Sequence, residues 1–154
     1  METSEKIIAL TIMYGLPLFL AIMYRINKNR KTKLNMITEN DVLNILGEKF
    51  PEINSELEKT SGSENIYKTL QCFANYTKRC AKTGNIKKLK SCFLIADKLI
   101  SKGNNKVKSA VRNVYLISVS SLIEIVSPIQ EQVKKMLPEN LMTAYEKQIM
   151  ASNP

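Results

Sequence analysis

An uncharged stretch near the amino terminus is the feature of this sequence that most constrains its fold. Residues 7–24 read IIALTIMYGLPLFLAIMY and contain no Asp, Glu, Lys or Arg. As an α-helix these eighteen residues would extend roughly 27 Å, which is close to the thickness of the hydrocarbon core of a bilayer. The sequence therefore predicts a single transmembrane helix, with residues 1–24 as an amino-terminal membrane anchor.

Basic residues directly after this stretch predict its orientation. They are Arg25, Lys28, Arg30, Lys31 and Lys33. Because cytoplasmic flanks of membrane helices carry an excess of Lys and Arg, we expect the amino end outside and everything after the anchor in the cytoplasm. Residues 25–37 then form a basic juxtamembrane linker, which binds anionic lipid at about 1 kcal/mol per basic side chain or serves only as a flank that stops translocation.

Two other interpretations of the apolar stretch compete with an anchor. A cleaved signal peptide would carry its basic region before the apolar run and a small-residue cleavage site after it, and this sequence has neither. A buried core helix would show a polar face, and none is visible here. Gly15 and Pro17 weaken the helix near its middle, but transmembrane helices tolerate such residues.

Residues 38–154 carry the repeating signals of short helices and form the predicted helical domain. Thr38 followed by Glu39 is typical of a helix start, and Pro51 interrupts that helix. Apolar and small residues at steps of three and four predict two further amphipathic helices. These residues are Ile66, Leu70, Phe73, Thr77 and Ala81 in one helix and Leu89, Phe93, Ala96 and Ile100 in the next.

Two Gly-Asn pairs, at Gly84 and Gly103, mark the ends of these two helices. Helices of equal length joined by short turns are expected to pack as antiparallel neighbours. Residues 107–126 are the most apolar part of the domain and predict its central helix. The sequence thus predicts an all-α fold, a single transmembrane helix followed by a compact bundle of about five to six helices. Stacked helical hairpins remain an alternative.

The amino-acid composition excludes most kinds of enzyme mechanism. The chain has no His, which excludes imidazole bases and imidazole metal ligands. Cys72, Cys80 and Cys92 lack Cys-x-x-Cys spacing, so we expect buried free thiols in a reducing compartment. The five glycines form neither a phosphate loop nor a dinucleotide fingerprint. We therefore predict a protein that is not an enzyme, with no cofactor, no metal and no evident small-molecule substrate.

Charge is unevenly distributed along the domain. Residues 39–64 hold seven acids and two lysines, whereas residues 78–112 hold eleven bases and one acid. These segments could pack side by side and screen each other. Glu52 and Glu56 lie one helical turn apart and could pair with each other, but solvation at the surface explains them better. Alternatively, a basic patch around the Gly84 turn could bind an anionic partner. The basic patch consists of Lys78, Arg79, Lys82, Lys87, Lys88 and Lys90.

Several short motifs also resemble those of a known family. Phe50-Pro51-Glu52, Gly103-Asn104-x-x-Val107, Asn113-Val114-Tyr115-Leu116 and Leu137-Pro138-x-x-Leu141-x-x-x-Tyr145-x-Lys147-Gln148-Ile149 look like an uncharacterised bacterial all-helical domain family. The resemblance covers about residues 37–152. It implies a helical fold, mostly soluble relatives without assigned activity, and no catalytic residue. The apolar amino-terminal run departs from that pattern.

These observations predict a non-catalytic, membrane-anchored helical module that faces the cytoplasm and binds or scaffolds another protein. The alternative is a soluble helical domain that binds a nucleic acid or an acidic protein through residues 78–112. Nucleic acid is the weaker choice of partner, because the basic patch is mainly Lys and no nucleic-acid-binding motif occurs.

Overall fold

The computed structural model describes residues 16–34, 36–60, 66–124 and 128–152. The chain divides into two units, residues 1–36 and 37–154. Helix α1 (Leu16–Leu34) is the described helix of the first unit. It runs through the second half of the predicted anchor and most of the predicted linker, while residues 7–15 lie outside the described residues. Among the described helices, none has both the length and the apolar content needed to cross a bilayer.

Seven helices form the described part of the second unit, which confirms the all-α prediction for these residues. They are α2 (Glu39–Lys49), α3 (Asn54–Glu58), α4 (Ile66–Lys82), α5 (Ile86–Lys102), α6 (residues 105–124), α7 (Pro128–Met136) and α8 (Glu139–Ser152). Pro51 ends α2 and begins a 3₁₀ turn, Pro51–Ile53, that leads into α3. The short α3 is why the domain has more helices than the five to six predicted.

The core is organised around α4 and α6. Helix α4 packs against α2, α3, α5 and α6, and α8 packs against α5 and α6. Phe73 on α4 stacks with Phe50 at the end of α2 and with Tyr115 on α6, at ring centroid distances of 5.7 Å and 4.9 Å. These packings confirm the predicted central position of the apolar segment that forms α6, a position that it shares with α4.

Helix α6 contains a π-helical turn, Val111–Leu116, between two α-helical segments. A π turn holds more residues than an α turn, so it shifts the direction of every side chain that follows it. In α6 this shift allows Val111, Leu116 and Val119 all to be buried. The same turn leaves Arg112 and Asn113 on the exposed side.

The two glycines predicted at helix ends are required for different physical reasons. Gly84 adopts a positive φ of 67°, which is the left-handed conformation that ends α4. Gly103 has an ordinary φ of −64°, but a Cβ built there would lie 2.4 Å from the Leu99 carbonyl oxygen and 2.7 Å from Val107 Cγ1. The first glycine is required by backbone conformation and the second by lack of space.

The turn at Gly103 also forms hydrogen bonds with Ile37, at the start of the domain. The Ile37 amide donates to the Lys102 carbonyl at 3.0 Å, and the Asn104 amide donates to the Ile37 carbonyl at 2.9 Å. The Asn104 side chain caps α6 by accepting from the Val107 amide and donates to Glu39. Segments that are far apart in sequence are therefore joined at one crowded turn.

Replacing Gly103 with Ala should destabilise the domain by about 1–3 kcal/mol, because the added methyl group meets backbone of α5 that cannot move freely. We expect the thermal unfolding midpoint, followed by circular dichroism at 222 nm, to fall by several degrees. Gly47→Ala is the matched control, because a Cβ there meets the end of the flexible Asn54 side chain and Ala favours the surrounding helix. An equal fall in both variants would contradict the close approach at Gly103.

Candidate functional site

The basic patch gathers at the turn between α4 and α5. Lys78, Arg79 and Lys82 lie on the last turns of α4, and Lys87, Lys88 and Lys90 lie on the first turns of α5. The Asn85 amide bonds to the Cys80 carbonyl at 2.9 Å, which closes the end of α4, and the Asn85 side chain caps α5. This turn reverses the chain, so both groups of basic residues lie at the same end of one helical hairpin.

Two members of the basic patch form ion pairs with the acidic segment, residues 39–64. Arg79 Nη2 lies 2.8 Å from Glu56 Oε1, and Lys88 Nζ binds Glu52 Oε1. A third pair joins the same two segments, between Glu39 and Lys106 at 3.6 Å. The interpretation in which the acidic and basic segments screen each other is confirmed at these pairs. Glu52 and Glu56 remain at the surface, with side chains 38% and 42% exposed, and each of them also binds a basic side chain.

Glu52 is the most strongly perturbed acid of this group. Its carboxylate accepts hydrogen bonds from Lys88 Nζ and from the Tyr76 hydroxyl. These bonds stabilise the ionised form and lower the pKa of Glu52 from 4.5 to about 2. Burial and the bond to Glu52 raise the pKa of Tyr76. At neutral pH the carboxylate is therefore ionised and the phenol is protonated.

Arg79 contacts two neighbours as well. Besides its bond to Glu56, its guanidinium lies 5.8 Å from the centroid of the Tyr76 ring. The bond from Arg79, together with a weaker one from the Cys72 thiol at 3.6 Å, lowers the pKa of Glu56. Because about half of the Arg79 side chain is exposed, at 51%, solvent screening limits this pair to about 1 kcal/mol or less.

The other four members of the basic patch differ in exposure. Lys82, Lys87 and Lys90 are exposed, and Lys78 is half-buried. Within the part of the chain that the structure describes, none of these four forms an ion pair. The structure thus brings the six predicted residues together. Arg79 and Lys88 are paired with acids, and the four residues without an ion pair are all lysines.

The predicted juxtamembrane residues all fall on α1. Arg25 is exposed, and the side chains of Lys28, Arg30, Lys31 and Lys33 lie outside what the structure describes. The predicted linker is helical as far as Leu34. One helix therefore carries an apolar first half and a basic second half.

The three cysteines are free and buried, as predicted. Burial raises the pKa of Cys72 to about 11 and that of Cys92 to about 12. A thiol with such a pKa is almost fully protonated at neutral pH and is a poor nucleophile. Across the described residues, no group of three His, Cys, Asp or Glu side chains is placed to hold a metal ion.

A groove of about 490 Å³ lies between α5, α6 and α8. Its polar lining includes Arg112, Asn113, Glu139, Asn140, Thr143 and Lys147. The sequence analysis identified none of these as site residues, because they come from separate helices and match no motif of known chemistry. The available signal is the run of polar and small residues on one face of α8, at positions 140, 143, 144, 147, 148 and 151.

Asp97 on α5 fixes the end of α8 that borders the groove. Its carboxylate accepts from the Leu141 amide at 3.0 Å and from Asn140 Nδ2 at 3.2 Å. Pro138 precedes α8 and has no side-chain oxygen, so this carboxylate from another helix takes the place of a local cap. The groove wall formed by α8 is therefore anchored to α5.

The lowered pKa of Glu52 predicts a pH-dependent contribution to stability. Because the folded pKa lies below the unfolded one, this contribution is complete above about pH 4.5 and is lost as the pH falls to about 2. We expect the unfolding midpoint of Glu52→Gln to fall less steeply over this range than that of the wild type. Glu48→Gln, on the exposed side of α2, is the control, and the same slope in both variants would contradict the role of Glu52.

Comparisons with known proteins agree with the resemblance noted in the sequence. No curated protein and no solved structure gives a significant match to the chain. A family model described as a domain of unknown function, DUF7674, matches residues 43–151, which span all or part of every helix from α2 to α8. The predicted resemblance to an uncharacterised domain family of unassigned activity is thereby confirmed, and the chain belongs to the DUF7674 family.

Proposed function

We propose that this chain is a non-catalytic, membrane-anchored helical module whose domain faces the cytoplasm and binds a protein partner. The observation that carries the proposal is the surface of α1. Leu18, Phe19 and Leu20 are 58–64% exposed, and the same helix continues into the basic segment that begins at Arg25. A helix with an apolar first half and a basic second half suits insertion into a bilayer with its basic end at the headgroups.

The nature of the partner follows from the charge that remains on the domain. Lys82, Lys87 and Lys90 are exposed at one end of the α4–α5 hairpin, and the nearby acids Glu52 and Glu56 are already bound to Lys88 and Arg79. An acidic protein surface complements these lysines. Lysines bind such surfaces as separate point charges, which is suited to adjustable contacts with carboxylates.

Charged substitutions in α1 test the anchor. Leu18→Arg combined with Leu20→Arg should release the full-length chain from membranes, because each Arg costs about 2.5–3.5 kcal/mol at the centre of a spanning helix. The measurement is partition of the tagged chain between membrane and supernatant after carbonate extraction. Leu94→Arg is the matched control, since Leu94 is similarly exposed, at 53%, on the surface of α5.

The same preparations test the orientation. Protease added to the cytoplasmic side should digest the domain, and protease added outside should leave it intact. Release of the wild-type chain by carbonate would overturn the anchor, and digestion of the domain from outside would overturn the cytoplasmic location.

The second candidate is a soluble domain that binds an anionic partner through residues 78–112, and the unpaired lysines of the basic patch favour it. Fluorescence anisotropy with a labelled single-stranded DNA oligonucleotide distinguishes the two proposals. Under the second candidate, affinity should fall steeply between about 50 and 200 mM salt. A triple variant with Gln at positions 82, 87 and 90 should reduce the slope of log affinity against log salt concentration by about two, because each lost phosphate contact reduces it by about 0.7 for a single strand. Indifference to the oligonucleotide favours the protein-binding module.

A further inference from the structure

Two cations in the groove between α5, α6 and α8 form no ion pair with the part of the chain that the structure describes. Arg112 comes from the π-helical turn of α6 and Lys147 comes from α8. Neither forms an ion pair within the described residues. This differs from the α4–α5 hairpin, where Arg79 and Lys88 are bound to acids of the same chain.

Uncharged hydrogen-bonding groups surround these two cations. Asn113 adjoins Arg112 on α6, and Asn140 and Thr143 lie on the α8 wall. Glu139 is the acidic residue of the described lining. The lining thus combines two positive charges, one negative charge and several amide or hydroxyl groups within one concave surface.

The walls of the groove are held in place by the core. On α8, Leu141 and Tyr145 are buried and Asp97 binds the first turn. On α6, the π turn is fixed by Tyr115, which is fully buried and stacks on Phe73. A π turn inside an α-helix is frequently associated with a functional site. Here it presents Arg112 to the groove while Tyr115 stays in the core.

We propose that this groove binds a small organic anion that carries hydroxyl or amino groups beside a carboxylate or phosphate. Arg112 would bind the anionic group through its planar fork of donors, and Lys147 would add a second positive charge. Asn113 and Thr143 would hydrogen-bond the polar remainder of the ligand, and Glu139 would accept from its hydroxyl or amino donors. The volume of about 490 Å³ falls within the usual range for small-molecule sites.

Shape separates this groove from the exposed lysines elsewhere on the domain. Arg112 and Lys147 are themselves exposed, but charges that line one concave surface focus the electrostatic potential more than lysines spread over a convex surface do. Binding in the groove should therefore depend on Arg112 and Lys147 individually. It should be insensitive to an equal loss of charge on a convex surface.

Amide chemical-shift mapping of the ¹⁵N-labelled full-length chain tests the proposal, with L-glutamate as the carboxylate probe, glucose 6-phosphate as the phosphate probe and glucose as the uncharged control. At least one anion should shift the amides of Asn113, Thr143 and Lys147 in a saturable way, and glucose should not. Arg112→Gln and Lys147→Gln should each weaken that anion by about fivefold. Lys98→Gln, which removes the same charge from an exposed position of α5, should change it less than about twofold.

Comparison of the two anions shows whether the groove prefers a carboxylate or a phosphate. Preference for glucose 6-phosphate assigns a phosphate ligand, preference for glutamate assigns a carboxylate ligand, and either result supports the site. Absence of saturation with both anions would overturn the proposal, as would equal binding of glucose. Equal weakening by Lys98→Gln would also overturn it, because the effect would then reflect net charge. Unchanged circular dichroism spectra of the variants confirm that folding is not the cause.

Discussion

Stacking of three aromatic rings is the contact on which the rest of the domain depends. Phe50, Phe73 and Tyr115 lie at the end of α2, in α4 and in the π turn of α6, and their rings form one continuous stack. Aromatic pairs of this kind contribute about 0.5–1.5 kcal/mol beyond the area that they bury. The Tyr115 hydroxyl lies 3.2 Å from the Thr77 hydroxyl, so its polar end is satisfied inside the core.

Both candidate surfaces take their positions from this stack. Because Phe50 is fixed against α4, the residues that follow it bring Glu52 to Tyr76 and Lys88. Because Tyr115 is fixed against α4, the exposed side of the same π turn presents Arg112 to the groove. Loosening the stack would therefore be expected to disturb the ion pairs at the α4–α5 turn and the groove together.

Much of the fold was predictable from local signals in the sequence. Thr38 and Pro51 bound α2 as expected, and the helices that end near Gly84 and Gly103 were identified by their apolar spacing and Gly-Asn stops. Local sequence did not reveal why the second glycine is needed. Its requirement arises from contact with Val107 and from hydrogen bonds of its neighbours to Ile37, which exist only after the helices pack.

The π turn and the groove were not predictable in the same way. Residues 111–116 read VRNVYL, and a segment of this length is too short for its periodicity to distinguish a π turn from an α turn. The groove requires three helices to meet, and neither Arg112 nor Lys147 belongs to a motif with known chemistry. The basic patch was easier to predict, because its six residues are close in sequence and one turn is enough to bring them together.

The formal charge of +9 is a weaker guide to function than the position of the uncompensated charges. At the α4–α5 turn, acids from the preceding segment bind Arg79 and Lys88, and Lys82, Lys87 and Lys90 are exposed to solvent, where screening limits each contact. In the groove, a guanidinium and an ammonium line a concave surface with one carboxylate nearby. The first arrangement suits a broad acidic surface that many weak contacts hold, and the second suits a small anion that a few directed contacts hold. The same excess of basic residues is thus divided between two surfaces, and the packing of α6 against α8 places Arg112 and Lys147 in the groove.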